Sequence, residues 1–146
     1  MQSKAEGVLF KSNSDEWETP QSVYESLDSE FHFTLDPCAT DDNHKCEAYY
    51  TIADNGLQQN WGGQTVFCNP PYSEIADWVE KAYRESRQDH TVVVLLIPSR
   101  TDTRYFHNFI YQRAEIRFVK GRIRFGDSTT NAPFPSMVVI FRGAYA

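Results

Sequence analysis

The sequence predicts an α/β fold, and three observations carry that assignment. Thr91, Val92, Val93, Val94, Leu95, Leu96 and Ile97 form an unbroken, mostly β-branched run of the kind buried on both faces of a parallel sheet. Ile75, Trp78, Val79, Ala82 and Tyr83 recur at i, i+3, i+4, i+7 and i+8, which is one apolar face of a helix. A short apolar run, residues 65–68, precedes that helix, so strand, loop, helix and strand follow in the order of a βαβ unit. Its crossover is expected to be right-handed.

The remaining elements follow along the chain. Residues 1–13 are polar and small and read as a flexible arm, with residues 14–146 forming one domain. Thr19-Pro20 reads as a helix N-cap followed by proline at the first helical position, and Val23, Leu27 and Phe31 continue at helical spacing. Residues 31–35 read as a short strand ending at Asp36-Pro37, and residues 39–50 as a polar stretch with a short helix. Ser73 is expected to cap the helix that follows residues 65–68. Tyr105, Phe106, Phe109 and Ile110 suggest another helix. Residues 115–119, 122–125 and 137–141 read as late strands containing an antiparallel hairpin. The sheet is thus expected to be mixed and mostly parallel, and in such open sheets ligands bind beyond the carboxyl ends of the strands. Asp36, Asn69 and Pro98-Ser99-Arg100 each end an expected strand and should meet at one rim.

At 146 residues the chain can bury a core without disulfides or metal. Its three cysteines suit a reducing compartment. No run of 18 apolar residues is present and the first residues lack the apolar core of a signal peptide, so a cytoplasmic protein with no membrane partner is expected. The net charge of −6 is unevenly spread: residues 1–80 carry 3 Lys/Arg against 15 Asp/Glu, a net −12, and residues 81–146 carry 11 against 5, a net +6. The basic half is either a phosphate-binding footprint or an ordinary solvated surface.

Asn69-Pro70-Pro71-Tyr72, directly after the strand at 65–68, is the most informative segment. The exocyclic amine of a base is a poor nucleophile because its lone pair is delocalised into the ring. The Asn69 side-chain oxygen and the Pro70 carbonyl can each accept one of its two N–H bonds, leaving the lone pair aimed at an electrophile. Such an arrangement counts most in a dry, preorganised site. Tyr72 can then stack on the base. The alternative is a plain Pro-Pro turn with Asn capping the next helix. Asp36 and Asp54 are carboxylates suited to the hydroxyl, cationic and amino groups of a cofactor, or else turn residues of Asp-Pro and Asp-Asn-Gly. Cys38, His44 and Cys46 have metal-ligand side chains at a spacing that fits no standard zinc finger, so no metal is expected. His90 and His107 carry no sign of acid–base catalysis.

Several motifs in one order resemble the small phage-encoded DNA N6-adenine methyltransferases, the Dam-like phage family. They are Trp17-Glu18-Thr19-Pro20, Leu35-Asp36-Pro37-Cys38-Ala39, Cys68-Asn69-Pro70-Pro71-Tyr72-Ser73, Ile97-Pro98-Ser99-Arg100, Lys120-Gly121-Arg122-Ile123-Arg124-Phe125 and Phe134-Pro135-Ser136. The resemblance spans residues 14–141. It implies a compact Rossmann-like fold dependent on S-adenosylmethionine, acting on double-stranded DNA inside a bacterial host cell. Asn69, Pro70, Pro71 and Tyr72 match the catalytic motif. Asp36, with Pro37, matches the acidic position that contacts the cofactor; Asp54 resembles the residue meeting its adenine; and Trp17, Thr19 and Pro20 match the motif lining its methionine end. Glu47 is a candidate for the ribose. Arg100, Arg104, Arg122 and Arg124 are expected to hold DNA phosphates. Larger relatives have glycines after the acidic position, whereas Ala39-Thr40-Asp41-Asp42 follows here, and the stretch from Asp36 to Asp54 is short for both a helix and a strand. The resemblance leaves three rival activities. N4-cytosine methylation usually has Ser at the Asn69 position, protein glutamine methylation shares the tetrapeptide, and a DNA-binding protein could retain a decayed fold. With no room for a separate recognition domain, selectivity for a short or relaxed site is expected to come from loops that include residues 127–135.

Overall fold

The computed structural model describes residues 18–125 and 132–146. Its elements are α1 (Gln21–Phe31), β1 (Thr65–Cys68), α2 (Ile75–Ser86), β2 (Val92–Pro98), a π-helical turn (Phe106–Ile110), β3 (Glu115–Phe118) and β4 (Ser136–Arg142), with short 3-10 turns at Gly56–Gln58 and Tyr72–Glu74. The sheet has the order β1-β2-β4-β3.

β1 pairs in parallel with β2, from Thr65↔Val92 to Cys68↔Leu95. β4 is antiparallel to β2, from Val92↔Arg142 to Pro98↔Ser136, and β3 is antiparallel to β4. The fold is therefore α/β with a mixed sheet, but the expectation of mostly parallel pairing is wrong, since two of the three ladders are antiparallel. The reason is that the stretch between Asp36 and β1 supplies no full strand beside β1. Only isolated bridges occur, from Leu35 to Val66 and from Asp36 to Tyr49.

Local chemistry explains the other departures. α1 runs through Phe31, and His32 then adopts φ 58° and ψ 66°, its N–H bonding Asp28 O. This reversal removes Phe31 and its neighbours from the expected strand. Residues 39–50 form bends rather than a helix, and residues 122–125 are irregular. α1 is capped by Pro20, not Thr19, with no side-chain cap bond. α2 begins after Glu74 rather than Ser73, because the turn at Tyr72–Glu74 intervenes. The expected helix around Tyr105 is largely a π-helical turn.

Alternation along the strands builds two apolar layers. Val66 and Cys68, Val93, Leu95 and Ile97, and Met137, Val139 and Phe141 face α2 and the π-turn, together with Trp61, Trp78 and Val79. Phe67, Val94, Leu96, Val138 and Ile140 face α1 through Tyr24, and also meet Cys46, Ile123 and Phe125. All seven residues of β2 are buried, as its continuous apolar sequence requires.

Trp61 ties the irregular segment to α2. Its Nε1 donates to Gly56 O at 3.0 Å, and its ring stacks on Trp78 with centroids 6.1 Å apart. Gly56 lies so close to the Pro37 carbonyl that a Cβ would overlap that oxygen, with Trp78 on its other side. Gly56→Ala should therefore destabilise the fold by about 1–3 kcal/mol through overpacking, seen as a lowered Tm in thermal unfolding. An unchanged Tm would show that this contact is not tight.

Candidate active site

β1 delivers the tetrapeptide to the carboxyl rim of the sheet. Cys68 points into the α2 layer, so Asn69, the next residue, turns toward the opposite face, where α1 lies. Asn69 Nδ2 donates to Thr19 Oγ1 at 2.8 Å. Pro71 is extended, at φ −62° and ψ 137°, and Glu74 N bonds Pro71 O at 3.0 Å to close the turn leading into α2. The two rings thus stiffen the exit from β1 and hold Pro70 buried beside Asn69.

Tyr72 packs against the α2-side core and meets Phe134 edge-on, with centroids 5.2 Å apart at 71°. Burial pushes its phenol pKa up, opposed by the Arg100 cation, so the ring remains a neutral stacking surface. Phe134 is half-buried and also contacts Phe125. β2 runs three residues past Leu95, the partner of Cys68, to Pro98. This places Ser99 and Arg100 beside the tetrapeptide. Ser99 N donates to Pro135 O at 2.9 Å, tying the end of β2 to the segment that carries Phe134. The Ser99 and Ser136 hydroxyls are buried with no hydrogen-bond partner among the described residues.

Asp36 is 5% exposed and its carboxylate accepts from Cys38 N at 3.3 Å and Lys45 N at 2.9 Å. Burial holds its pKa above the usual carboxylate range, against the opposing pull of those two N–H groups. Its first function in the fold is thus to clasp the loop of residues 38–45. Asp54 is exposed, and its Oδ2 accepts from Thr51 N at 2.9 Å. The approach of Gly56 to Pro37 sets the turn after Asp54 against the Asp36-Pro37 turn, while the two carboxylates bond separate partners. Glu47 is not: it lines a shallow hollow with Phe33 and Thr34, and Thr34 bonds the amino end of β1 through Thr65, away from the rim. Trp17 lies outside the described residues.

Arg100, Arg104, Arg122 and Arg124 are all exposed. Arg100 acts electrostatically on Tyr72 and Tyr105. Arg122 and Arg124 alternate with buried Ile123 and Phe125, and Phe125 links through Phe134 to Tyr72. Of residues 127–135, only 132–135 are described.

The cysteines and histidines have other surroundings. Cys68 is wholly buried and burial raises its thiol well above the ordinary value, which disfavours the thiolate a covalent nucleophile requires. Cys46 lies 3.5 Å from the Tyr24 hydroxyl, and burial raises its thiol to about 11. His44 Nδ1 donates to Cys46 O at 2.7 Å. His90 stacks on Tyr145 and its backbone N bonds Ala144 O, beyond the amino end of β2.

Two site features escaped sequence reasoning. The Thr19–Asn69 bond spans 50 positions and leaves no periodic trace, since Thr-Pro reads locally as a helix cap. Phe134 lies in a matched motif, but only the fold sets it against Tyr72.

The family model for DNA N-6-adenine-methyltransferase (Dam) matches residues 6–144. A "DNA N-6-adenine-methyltransferase" of Haemophilus phage HP1 is 32% identical over 139 residues, covering 90% of this chain and 80% of the relative. A second protein of that description, from Escherichia phage T1, is 32% identical over 108 residues, 73% of this chain and 45% of that longer protein. The "Putative methyltransferase YfdM" of Escherichia coli K12 is 38% identical over 70 residues, 43% of this chain and 77% of the relative. With its whole described sheet and its rim motifs inside the matched span, the chain belongs to the DNA N-6-adenine-methyltransferase (Dam) family.

Proposed function

We propose that the protein transfers a methyl group from S-adenosylmethionine to the N6 amine of an adenine flipped out of double-stranded DNA. The observation that carries this reading is the placement of Asn69-Pro70-Pro71-Tyr72 at the carboxyl end of β1, with Asn69 Nδ2 donating to Thr19. That bond turns the amide's acceptor atom, Oδ1, away from Thr19. Oδ1 and the Pro70 carbonyl then accept the two amine N–H bonds and direct the lone pair outward. Tyr72 stacks on the adenine, with Phe134 edge-on behind it. Stacking of roughly 1–3 kcal/mol per base offsets part of the few kcal/mol that flipping costs.

The rim residues fit the donor. The Asp36 and Asp54 turns lie together and carry carboxylates for its amino and hydroxyl groups, while Ile52, 85% exposed, presents an apolar face beside Asp54. Pro20, Pro37 and Trp17 complete the set implied by the family, which also includes Thr19, here bonded to Asn69. When bound, S-adenosylmethionine supplies a methyl group made electrophilic by its sulfonium. Asn69 and Pro70 align the amine for direct attack, and its surplus proton leaves to solvent afterwards. Arg100, Arg104, Arg122 and Arg124 hold phosphates around the flipped base, and the segment of residues 127–135 reads a short or relaxed site. Among the described residues, no helix is long and apolar enough to cross a membrane; a role in modifying DNA supports a location in the host cytoplasm.

Two outcomes test this. Incubation with duplex DNA and S-adenosylmethionine should yield N6-methyladenine on nucleoside mass spectrometry, and Asn69→Ala should lower kcat by about 10²–10³-fold, the cost of removing one preorganised hydrogen-bonding group. N4-methylcytosine as product, or a fully active Asn69→Ala, would contradict the reading. The logarithm of DNA affinity should fall linearly with the logarithm of salt concentration, and Arg100→Ala should reduce that slope by about 1; fluorescence anisotropy of a labelled duplex measures both, and an unchanged slope would remove Arg100 from the phosphate contacts.

A further inference from the structure

We infer that Thr19 is a positioning residue, whose hydroxyl holds the Asn69 carboxamide in the orientation that can receive an adenine amine. The inference rests on the methyl-transfer reading above and assigns Thr19 to the catalytic amide rather than to the methyl donor.

Thr19 occupies a place where a threonine ordinarily caps a helix, yet it makes no such bond. Pro20 is the cap residue of α1, without a side-chain cap bond, and the backbone N–H groups of Val23 and Tyr24 both go to Pro20 O at 3.1 Å. The Thr19 hydroxyl, on a residue only 3% exposed, instead accepts from Asn69 Nδ2 at 2.8 Å, across 50 positions of sequence. A backbone restricted by Pro20 thus presents a buried oxygen to the catalytic amide.

The chemistry makes that oxygen consequential. The two ends of a carboxamide have nearly the same shape but opposite hydrogen-bonding character. An adenine amine offers N–H bonds, so only the flip state with Oδ1 toward the base is productive; the other sets donor against donor. In the productive state Nδ2 points away from the base and needs an acceptor. Thr19 Oγ1 supplies one from a buried residue; since a hydroxyl can also donate, it holds the amide in place while the N–H groups of the base decide which end faces them. Removing the hydroxyl takes away the partner of the part-buried Nδ2 in that state and lets the amide rotate.

The test compares Thr19→Val, which keeps the shape and removes the oxygen, with Thr19→Ser, which keeps the oxygen. Thr19→Val should lose about 10- to 100-fold in kcat at saturating donor and DNA, the range seen when a residue orienting a reactive group is removed. Its S-adenosylmethionine Kd by calorimetry should stay within about twofold, and Thr19→Ser should restore kcat. In nuclear magnetic resonance spectra, the Asn69 side-chain amide protons, identified by their disappearance in Asn69→Ala, should shift in Thr19→Val and return in Thr19→Ser. An intact kcat in Thr19→Val, a loss abolished by more donor, or a Thr19→Ser as impaired as Thr19→Val would overturn the inference. Should Thr19→Val not fold, Thr19→Ala carries the same expectations. Failure of the methyl-transfer reading itself is read separately, from absence of N6-methyladenine with the native protein, whereas failure of the positioning role leaves that product intact.

Discussion

The parallel ladder between β1 and β2 is the constraint on which the rest of the site depends. β1 has only four residues, too few to hold a fixed direction alone, and it gains one by pairing along its whole length with a strand buried at every position. That pairing sets the level at which Asn69 leaves the sheet, and the side-chain alternation sets the face. One residue of slippage would exchange Cys68 and Asn69 between layers, putting an amide into the α2-side core and a thiol beside Thr19. The prolines then prevent the chain from continuing the ladder, because neither has an N–H to donate.

Around that fixed point, the site is assembled by contacts remote in sequence. Thr19 comes from the entry to α1, Arg100 from the end of β2, and Phe134 from the segment entering β4. Each is anchored by something other than the site: Thr19 by the turn at Pro20, Arg100 by the hydrogen bond between Ser99 N and Pro135 O, and Phe134 by its contact with Phe125. The acidic first half and basic second half of the chain meet here as well. Carboxylates suited to a cationic donor come from residues before β1, and arginines suited to phosphate come mainly from residues after β2. On the proposed reading, this division relates the uneven charge of the sequence to the site, although Arg84, Arg117 and Arg142 of the basic half pair with carboxylates instead.

What could be read from the sequence was whatever local pattern and solvent exposure decide together. β2, the apolar face of α2 and the short β1 follow from periodicity, and the tetrapeptide follows from chemistry at a strand end. The errors lie where a distant contact overrides a local preference. Thr19 has the sequence of a cap but bonds Asn69; residues 31–35 have the composition of a strand, but His32 in the left-handed region breaks it; residues 122–125 alternate like a strand but find no ladder partner among the described residues. The majority of antiparallel pairing was equally hidden, because strand direction depends on which neighbour β4 chooses. The clasp of Asp36 on the 38–45 loop leaves no local pattern, because its partners are backbone N–H groups.

The central claim is that the amine held at Asn69 attacks the methyl carbon itself, with no residue of the chain carrying the group in between. The most direct test is to supply S-adenosylmethionine whose methyl group is made chiral by the three hydrogen isotopes, and to determine its configuration in the product N6-methyladenine. A single displacement inverts the configuration, and inversion is the result this account predicts. Retention would require two successive displacements through a nucleophile on the protein and would contradict it.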